Sequence, residues 1–257
     1  MDSHSTISLL YEVVGKKEFQ EGLIDLVFKK TKTDKKAKKC KYIQIPKGET
    51  EIKYCGFHMC PNLKAVIIPN SVTKINDSAF YKCENLSSVT IPNKLERIWC
   101  NAFSECIRLT SITLSNSVTC IGELAFYNCE SLISINIPES VTYIGSSAFA
   151  GCLMLTSPIT IPKGVTTIKY HAFNKCYRLP SIDIPEGVTS LHHYSFNNCR
   201  SLTSITIPST ITDIENLEFA FAQCVGLRKI TIPEKFKEHM EDIFLGVDLS
   251  NVWKIYT

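Results

Sequence analysis

Over most of this chain, short runs such as Ser88-Val89-Thr90-Ile91 and Ser204-Ile205-Thr206-Ile207 place apolar side chains at every second position, with hydroxyl residues between them. That period of two predicts half-buried strands. Proline follows directly, at Pro69, Pro92, Pro138, Pro162, Pro185, Pro208 and Pro233, and ends each ladder because it has no N–H to donate. A second short extended piece, Val-Thr-x-Ile, comes next. An Ala-Phe-x-x-Cys segment then fits a single helical or 3-10 turn leading to the following strand.

These pieces recur together at a nearly constant step. Cysteines at 60, 83, 106, 129, 152, 176, 199 and 224 are separated by 23, 23, 23, 23, 24, 23 and 25 residues, each with a phenylalanine three positions before it and a leucine three after. One main strand in so short a unit cannot close a core alone, so successive copies must stack and share a columnar core. Ser115 stands where proline is expected, Pro158 adds one residue to a strand region, and 214–221 is two residues longer than its equivalents. Local bulges are expected at these places. After Pro233 the pattern decays; Phe244, Val247 and Leu249 echo the repeat, and 251–256 reads as a last strand. The chain therefore divides into an N-terminal cap with a lysine-rich segment (1–41), a solenoid of about eight copies (42–233) and a C-terminal capping segment (234–257). Phe19, Leu23, Leu26 and Val27 recur at helical spacing and predict an amphipathic helix over 17–30, placed to cover the first copy.

The consensus Ile-Pro-x-x-Val-Thr-x-Ile-x-x-x-Ala-Phe-x-x-Cys-x-x-Leu is similar to the leucine-rich repeat superfamily and, more narrowly, resembles the BspA-like or treponemal-type class. The resemblance implies a repeat solenoid of the leucine-rich-repeat horseshoe kind, mostly β with small α content. Its parallel β-sheet would line the concave face, with short turns or 3-10 segments on the convex side. It also implies kinship with surface proteins implicated in adhesion to host or matrix proteins. The opening residues lack a basic region, and Asp2 and Glu12 interrupt the apolar run, so no secretory signal is read. A cytoplasmic placement is expected for the chain as it stands, and a cell-surface or secreted one if the N-terminus is processed or trimmed.

An apolar fraction of 44% with 21% charged residues excludes a disordered chain, and no apolar stretch approaches the length of a membrane-spanning helix. The net charge of +3 conceals an asymmetry. Lys29, Lys30, Lys32, Lys35, Lys36, Lys38, Lys39 and Lys41 lie together with Asp34 as the one acidic residue among them, whereas the rest of the chain is slightly acidic. Such a run is a solvated linker or an electrostatic anchor for nucleic acid or another polyanion. Steep loss of affinity with salt would mark the second case.

Twelve cysteines would suggest disulfides or zinc if met without the repeat. Equivalent residues of stacked strands lie about 4.8 Å apart with parallel Cβ vectors, which does not suit a disulfide. No Cys-x-x-Cys pair supports zinc, so the repeated cysteines read as packing and no cofactor is expected. Cys40, Cys55, Cys100 and Cys120 fall outside the ladder as candidate exposed thiols.

Outward strand positions carry Gln44, Ile67, Thr90, Thr113, Asn136, Thr160, Asp183, Thr206 and Thr231, a face rich in hydroxyls and poor in charge. More distinctive are Tyr170-His171 and His192-His193-Tyr194 at equivalent places on neighbouring copies, with Tyr143 and Trp99 at slightly different offsets nearby. Stacking sets Tyr170 beside His193 and His171 beside Tyr194. Clustered rings of this kind either mark an interface or simply cover the convex side as loop residues. No phosphate loop, metalloprotease helix or nucleophile elbow occurs. The expectation is a non-enzymatic module, a monomer or weak dimer, that binds a protein partner through Trp99, Tyr143, Tyr170, His171, His192, His193 and Tyr194.

Overall fold

The structure is a computed structural model that describes residues 23–25 and 39–257, with the exception of residue 213. It is a parallel-strand β-solenoid of about nine turns with little helix. One row contains the main strands Leu23–Asp25, Tyr42–Gln44, Ala65–Ile67, Ser88–Thr90, Ser111–Thr113, Ser134–Asn136, Ile159–Thr160, Ile182–Asp183, Ser204–Thr206, Lys229–Ile232 and Trp253–Tyr256. A second row holds two-residue strands, from Glu51–Ile52 to Ser190–Leu191. All recorded pairings are parallel and keep the repeat register, Ile43 opposite Val66 and Val66 opposite Val89.

The register turns each repeat position into a column. A middle rung buries Leu109, Ile112, Leu114, Val118, Ile121, Ala125, Phe126 and Cys129, and its neighbours bury most of the equivalent residues, with Val89, Ile91 and Ile137 only partly buried. Phe57, Phe80, Phe103, Phe126, Phe149, Phe173, Phe196, Phe221 and Phe244 form one continuous stack, with ring centres 5.1 to 5.5 Å apart. The echo of the repeat at Phe244 thus extends the core by one ring.

The ladder cysteines hold the rungs together by more than packing. Cys106 Sγ lies 3.2 Å from the carbonyl oxygen of Phe80 in the preceding rung, to which its thiol donates. The same bond recurs at Cys83, Cys129, Cys152, Cys176, Cys199 and Cys224, at 3.1 to 3.4 Å. The Phe80 oxygen also accepts the Cys83 N–H at 3.1 Å, so both lone pairs of a buried carbonyl are used. A valine would fill the space and leave one of them empty. None of the twelve cysteines forms a disulfide, and burial pushes the thiols of Cys106, Cys129, Cys152, Cys176 and Cys199 above the ordinary thiol range. Off the ladder, Cys40 is buried, whereas Cys55, Cys100 and Cys120 are partly exposed.

Departures from the repeat appear where the strands are disturbed. Pro158 supplies no N–H, the main-chain N–H groups of Thr156 and Ser157 both reach the Ile133 oxygen, and the ladder is interrupted between Ser134–Asn136 and Ile159–Thr160. An open groove of about 510 Å³ lies there, lined by hydroxyl-bearing side chains such as Ser111, Thr113 and Ser157. Where Ser115 replaces proline, the Asn136 side chain accepts from Leu114 N–H at 3.0 Å and donates to its carbonyl at 3.1 Å. The longer segment contains a 3-10 turn at Glu215–Leu217, one rung beyond Ser190–Leu191, the last described strand of the second row.

Two expectations change. Leu23–Asp25 is a strand paired in parallel with Tyr42–Gln44, so at those residues the helical spacing yields to the open edge of the first rung. The rest of the expected helix over 17–30 lies outside the described residues. The Ala-Phe-x-x-Cys segment is a run of hydrogen-bonded turns rather than a helical one. Tyr81 N–H donates to Ser78 O and Cys83 N–H to Phe80 O, while Ser78 and Lys82 take φ of 55° and 56°. Two left-handed residues per rung leave no room for a helix to propagate.

Candidate protein-binding face

These turns stack as regularly as the strands. Phe80 N–H donates to Ala102 O at 2.8 Å, and Ser78 and Lys82 N–H donate to Cys100 and Ser104 O at 2.9 Å each. The backbone path is therefore fixed by its neighbours whatever the side chain. The first left-handed position of each turn is occupied in order by Cys55, Ser78, Asn101, Leu124, Ser147, His171, Tyr194 and Phe219. A φ near +55° favours glycine and asparagine and is an outlier for a bulky residue.

Three consecutive rungs nevertheless place rings there, at φ of 55°, 57° and 58°. His171 lies flat on Tyr194 with centres 5.2 Å apart, and Tyr194 stacks on Phe219 at 5.4 Å. One residue earlier in the chain, Tyr170 faces His193 at 6.0 Å and meets the edge of His192 at 4.4 Å. His193 Nδ1 is 3.0 Å from the Glu218 carbonyl oxygen of the next rung. The result is a partly exposed aromatic face, with Tyr170 the most open of the rings named here at 43%. Burial lowers the His171 pKa, so that ring is neutral at pH 7.

Two other ring residues singled out from the sequence sit apart from this face. Tyr143, in the short-strand row, connects to it through the Lys169 ammonium, 5.7 Å from the Tyr143 ring centre. Burial is the leading cause that raises its phenol pKa. Trp99 belongs to an earlier rung and is covered by the Arg97 guanidinium at 5.5 Å from its ring. The rungs between carry Gly122 and Gly145 at the equivalent position, so no ring connects Trp99 to Tyr170. Lys39 and Lys41 are exposed on either side of buried Cys40. Lys29, Lys30, Lys32, Lys35, Lys36 and Lys38 lie outside the described residues.

Phe219 is the member that sequence reading missed. Its signal is position: it stands two residues before Phe221, as Tyr194 precedes Phe196 and His171 precedes Phe173. The longer segment before it obscured that alignment. Among the described residues no group of three or more histidines, cysteines or carboxylates could hold a metal ion, and no helix is long and apolar enough to cross a membrane.

A stack of short parallel strands with one buried phenylalanine, cysteine and leucine per turn defines the leucine-rich repeat class. The chain belongs to the family described as BspA type leucine-rich repeat region, whose model matches in six copies over residues 34–156 and 154–253. Among solved structures it is similar to the leucine-rich repeat protein of T. pallidum, at 32% identity over 63% of this chain and 78% of that one, with a TM-score of 0.60. It also shares its fold with leucine-rich repeat proteins from Bacteroides ovatus (24% identity, 84% and 68% of the two chains, TM-score 0.56) and Eubacterium ventriosum (20%, 86% and 74%, TM-score 0.50). No curated protein matches the chain.

Proposed function

We propose that this chain is a non-enzymatic binding module, monomeric or weakly dimeric, that holds a protein partner against the aromatic face formed by Tyr170, His171, His192, His193, Tyr194 and Phe219. The observation that carries the proposal is the ring column at left-handed positions. Ser78, Asn101 and Ser147 show that the turn needs no ring, and placing one there costs conformational energy. Strained positions held in place by a rigid surround cluster at ligand clamps and active sites. The surrounding solenoid offers what such a face needs: turns fixed by rung-to-rung bonds, so that docking orders little backbone.

The wild type and a Tyr170→Ala, His193→Ala, Tyr194→Ala variant, used side by side in quantitative affinity capture, test this reading. A partner retained by the first and lost from the second is the expected result. Equal retention by two folded proteins would assign binding to another surface.

A further inference from the structure

The strand Trp253–Tyr256 departs from the columns that it continues. Register sets Ser204 beside Lys229 and Lys229 beside Trp253 in one outward column, and Thr206, Thr231 and Ile255 side by side in the next. Middle rungs hold small polar residues at both places, Ser111 and Thr113 paired with Ser134 and Asn136. The last described strand instead shows solvent an indole that is 67% exposed, with the Lys229 ammonium 5.4 Å from its ring, and a half-buried isoleucine next to it. The core does not call for either. Its side of the strand carries Tyr256, packed against the core, and Lys254, whose ammonium donates to the Leu249 carbonyl at 2.6 Å.

The backbone of this strand also has a free side. Trp253 N–H donates to Arg228 O at 2.9 Å, Thr257 N–H donates to Ile232 O at 3.1 Å, and Thr257 O accepts from Glu234 N–H at 2.9 Å. Hydrogen-bonding direction alternates along a strand. Trp253, Ile255 and Thr257 therefore face Lys229–Ile232, and the N–H and C=O groups of Lys254 and Tyr256 face away from it. Among the described residues no strand lies on that side, where the sheet order ends. An open edge is a template for another strand unless proline, a bulge or an outward charge guards it. This strand has no proline, and its one charged side chain is turned to Leu249.

We propose that this edge joins two copies of the chain, paired antiparallel about a two-fold axis through Ile255. Lys254 then lies opposite the partner's Tyr256, and every outward N–H and C=O of the two strands finds a counterpart. An axis through Lys254 would oppose two lysines, and one through Tyr256 would set Ile255 against a threonine. With the axis at Ile255, the two isoleucines meet on the outer face. Each Trp253 lies diagonal to the partner's Ile255, within reach of an aromatic ring, so the apolar surface that interrupts the hydroxyl columns is covered. The contact is self-complementary and closes at two copies. With so few residues a side it falls short of the ~1,200 Å² of stable interfaces, so the dimer is weak and reversible.

Sedimentation equilibrium of the full chain, from about 10 μM to 1 mM, tests the assembly in the range of weak association. The apparent mass should rise from 28.9 kDa toward twice that value; a mass that stays at one chain, or climbs past two, would overturn the proposal. Oxidative crosslinking tests the register. Across the axis, Ile255→Cys places two thiols on a non-hydrogen-bonded pair with Cα atoms about 4.5 Å apart, suited to a disulfide. The two copies of Trp253→Cys would lie more than about 13 Å apart. Diamide should link the first variant into dimers and leave the second at the wild-type background set by Cys55, Cys100 and Cys120; equal linking of both would overturn the register and with it the proposal. Lys254→Pro removes an outward N–H and none of the ladder bonds within one chain. It should raise the dimer Kd at least about tenfold, as losing the edge bonds implies, with the thermal midpoint retained. A folded variant that dimerises as the wild type does would assign the contact to another surface.

Discussion

Tyr194 allows the cost of the fold and the gain in binding to be measured separately, because two substitutions remove the same ring and differ only in what they do to the backbone. Tyr194 takes φ of 57° and stacks between His171 and Phe219 at 5.2 and 5.4 Å. Replacement by alanine or asparagine forfeits both ring contacts, about 0.5–1.5 kcal/mol each. Alanine keeps the Cβ clash of the left-handed conformation, whereas asparagine relieves about 1 kcal/mol of it through its local hydrogen bonding. Tyr194→Asn should therefore be more stable than Tyr194→Ala by about 1 kcal/mol, or roughly 2–4 °C in thermal midpoint for a chain of this size. Both should lose binding alike. If the ring is an anchor, truncation costs at least about 2 kcal/mol, close to a thirtyfold rise in Kd. Differential scanning calorimetry supplies the first comparison and titration with the captured partner the second. An alanine variant as stable as the asparagine one would refute the strain argument. An asparagine variant that binds like wild type would refute the role of the ring.

Other expectations follow from the buried columns. Ser195 stands where Ala79, Ala102, Ala125, Ala148, Ala172 and Ala220 recur, and its buried hydroxyl has no hydrogen-bond partner. Ser195→Ala should stabilise the protein by about 1 kcal/mol in denaturant titration, and a loss of stability would refute this. Phe126→Ala, in the middle of the ring stack, should cost about 3–5 kcal/mol by the same assay. Native thiol counting should find no more than Cys55, Cys100 and Cys120, the three that are partly exposed; fast labelling of a fourth would contradict the packing. The ladder thiols also set a pH limit. At Cys106, Cys129, Cys152, Cys176 and Cys199 burial is the leading cause that raises the folded pKa above the 9.0 of a free thiol. Their contribution is therefore complete below pH 9 and declines as pH rises toward the folded values, by about 1.4 kcal/mol per pH unit for each thiol. The denaturation midpoint should fall steeply between pH 9 and 10, and less steeply in Cys129→Ala; parallel falls would show that the thiols are not responsible.

The rungs, their register and the phenylalanine and cysteine columns were legible in the sequence because one residue type per repeat maps onto one column. The turn conformation was not. A left-handed backbone at His171, Tyr194 and Phe219 runs against the preference of those side chains and is imposed by bonds to the neighbouring rungs, which local sequence does not encode. The same reason hides the strand at Leu23–Asp25, whose helical spacing is overridden by pairing with Tyr42–Gln44. Ile67 read as one outward position among hydroxyls. It is nonetheless buried, which its place in the period-2 pattern did not signal. Pairing of Tyr170 with His193 and His171 with Tyr194 followed directly from the repeat step, whereas the offsets of Trp99 and Tyr143 place them in other columns.

The one-residue-per-column register has an evolutionary consequence. Removing residues 112–134 would join Ser111 to Ile135, and Ile135 would inherit the place that Ile112 holds. Even the tight spots would match: Gly122 passes so close to the Trp99 backbone that a Cβ would come within 2.6 Å, and Gly145 would arrive at that same place. Recombination between copies of the repeat in the gene can therefore lengthen or shorten this protein by whole rungs without disturbing its core. Selection can then adjust how far a binding face stands from either end of the molecule in steps of about 4.8 Å.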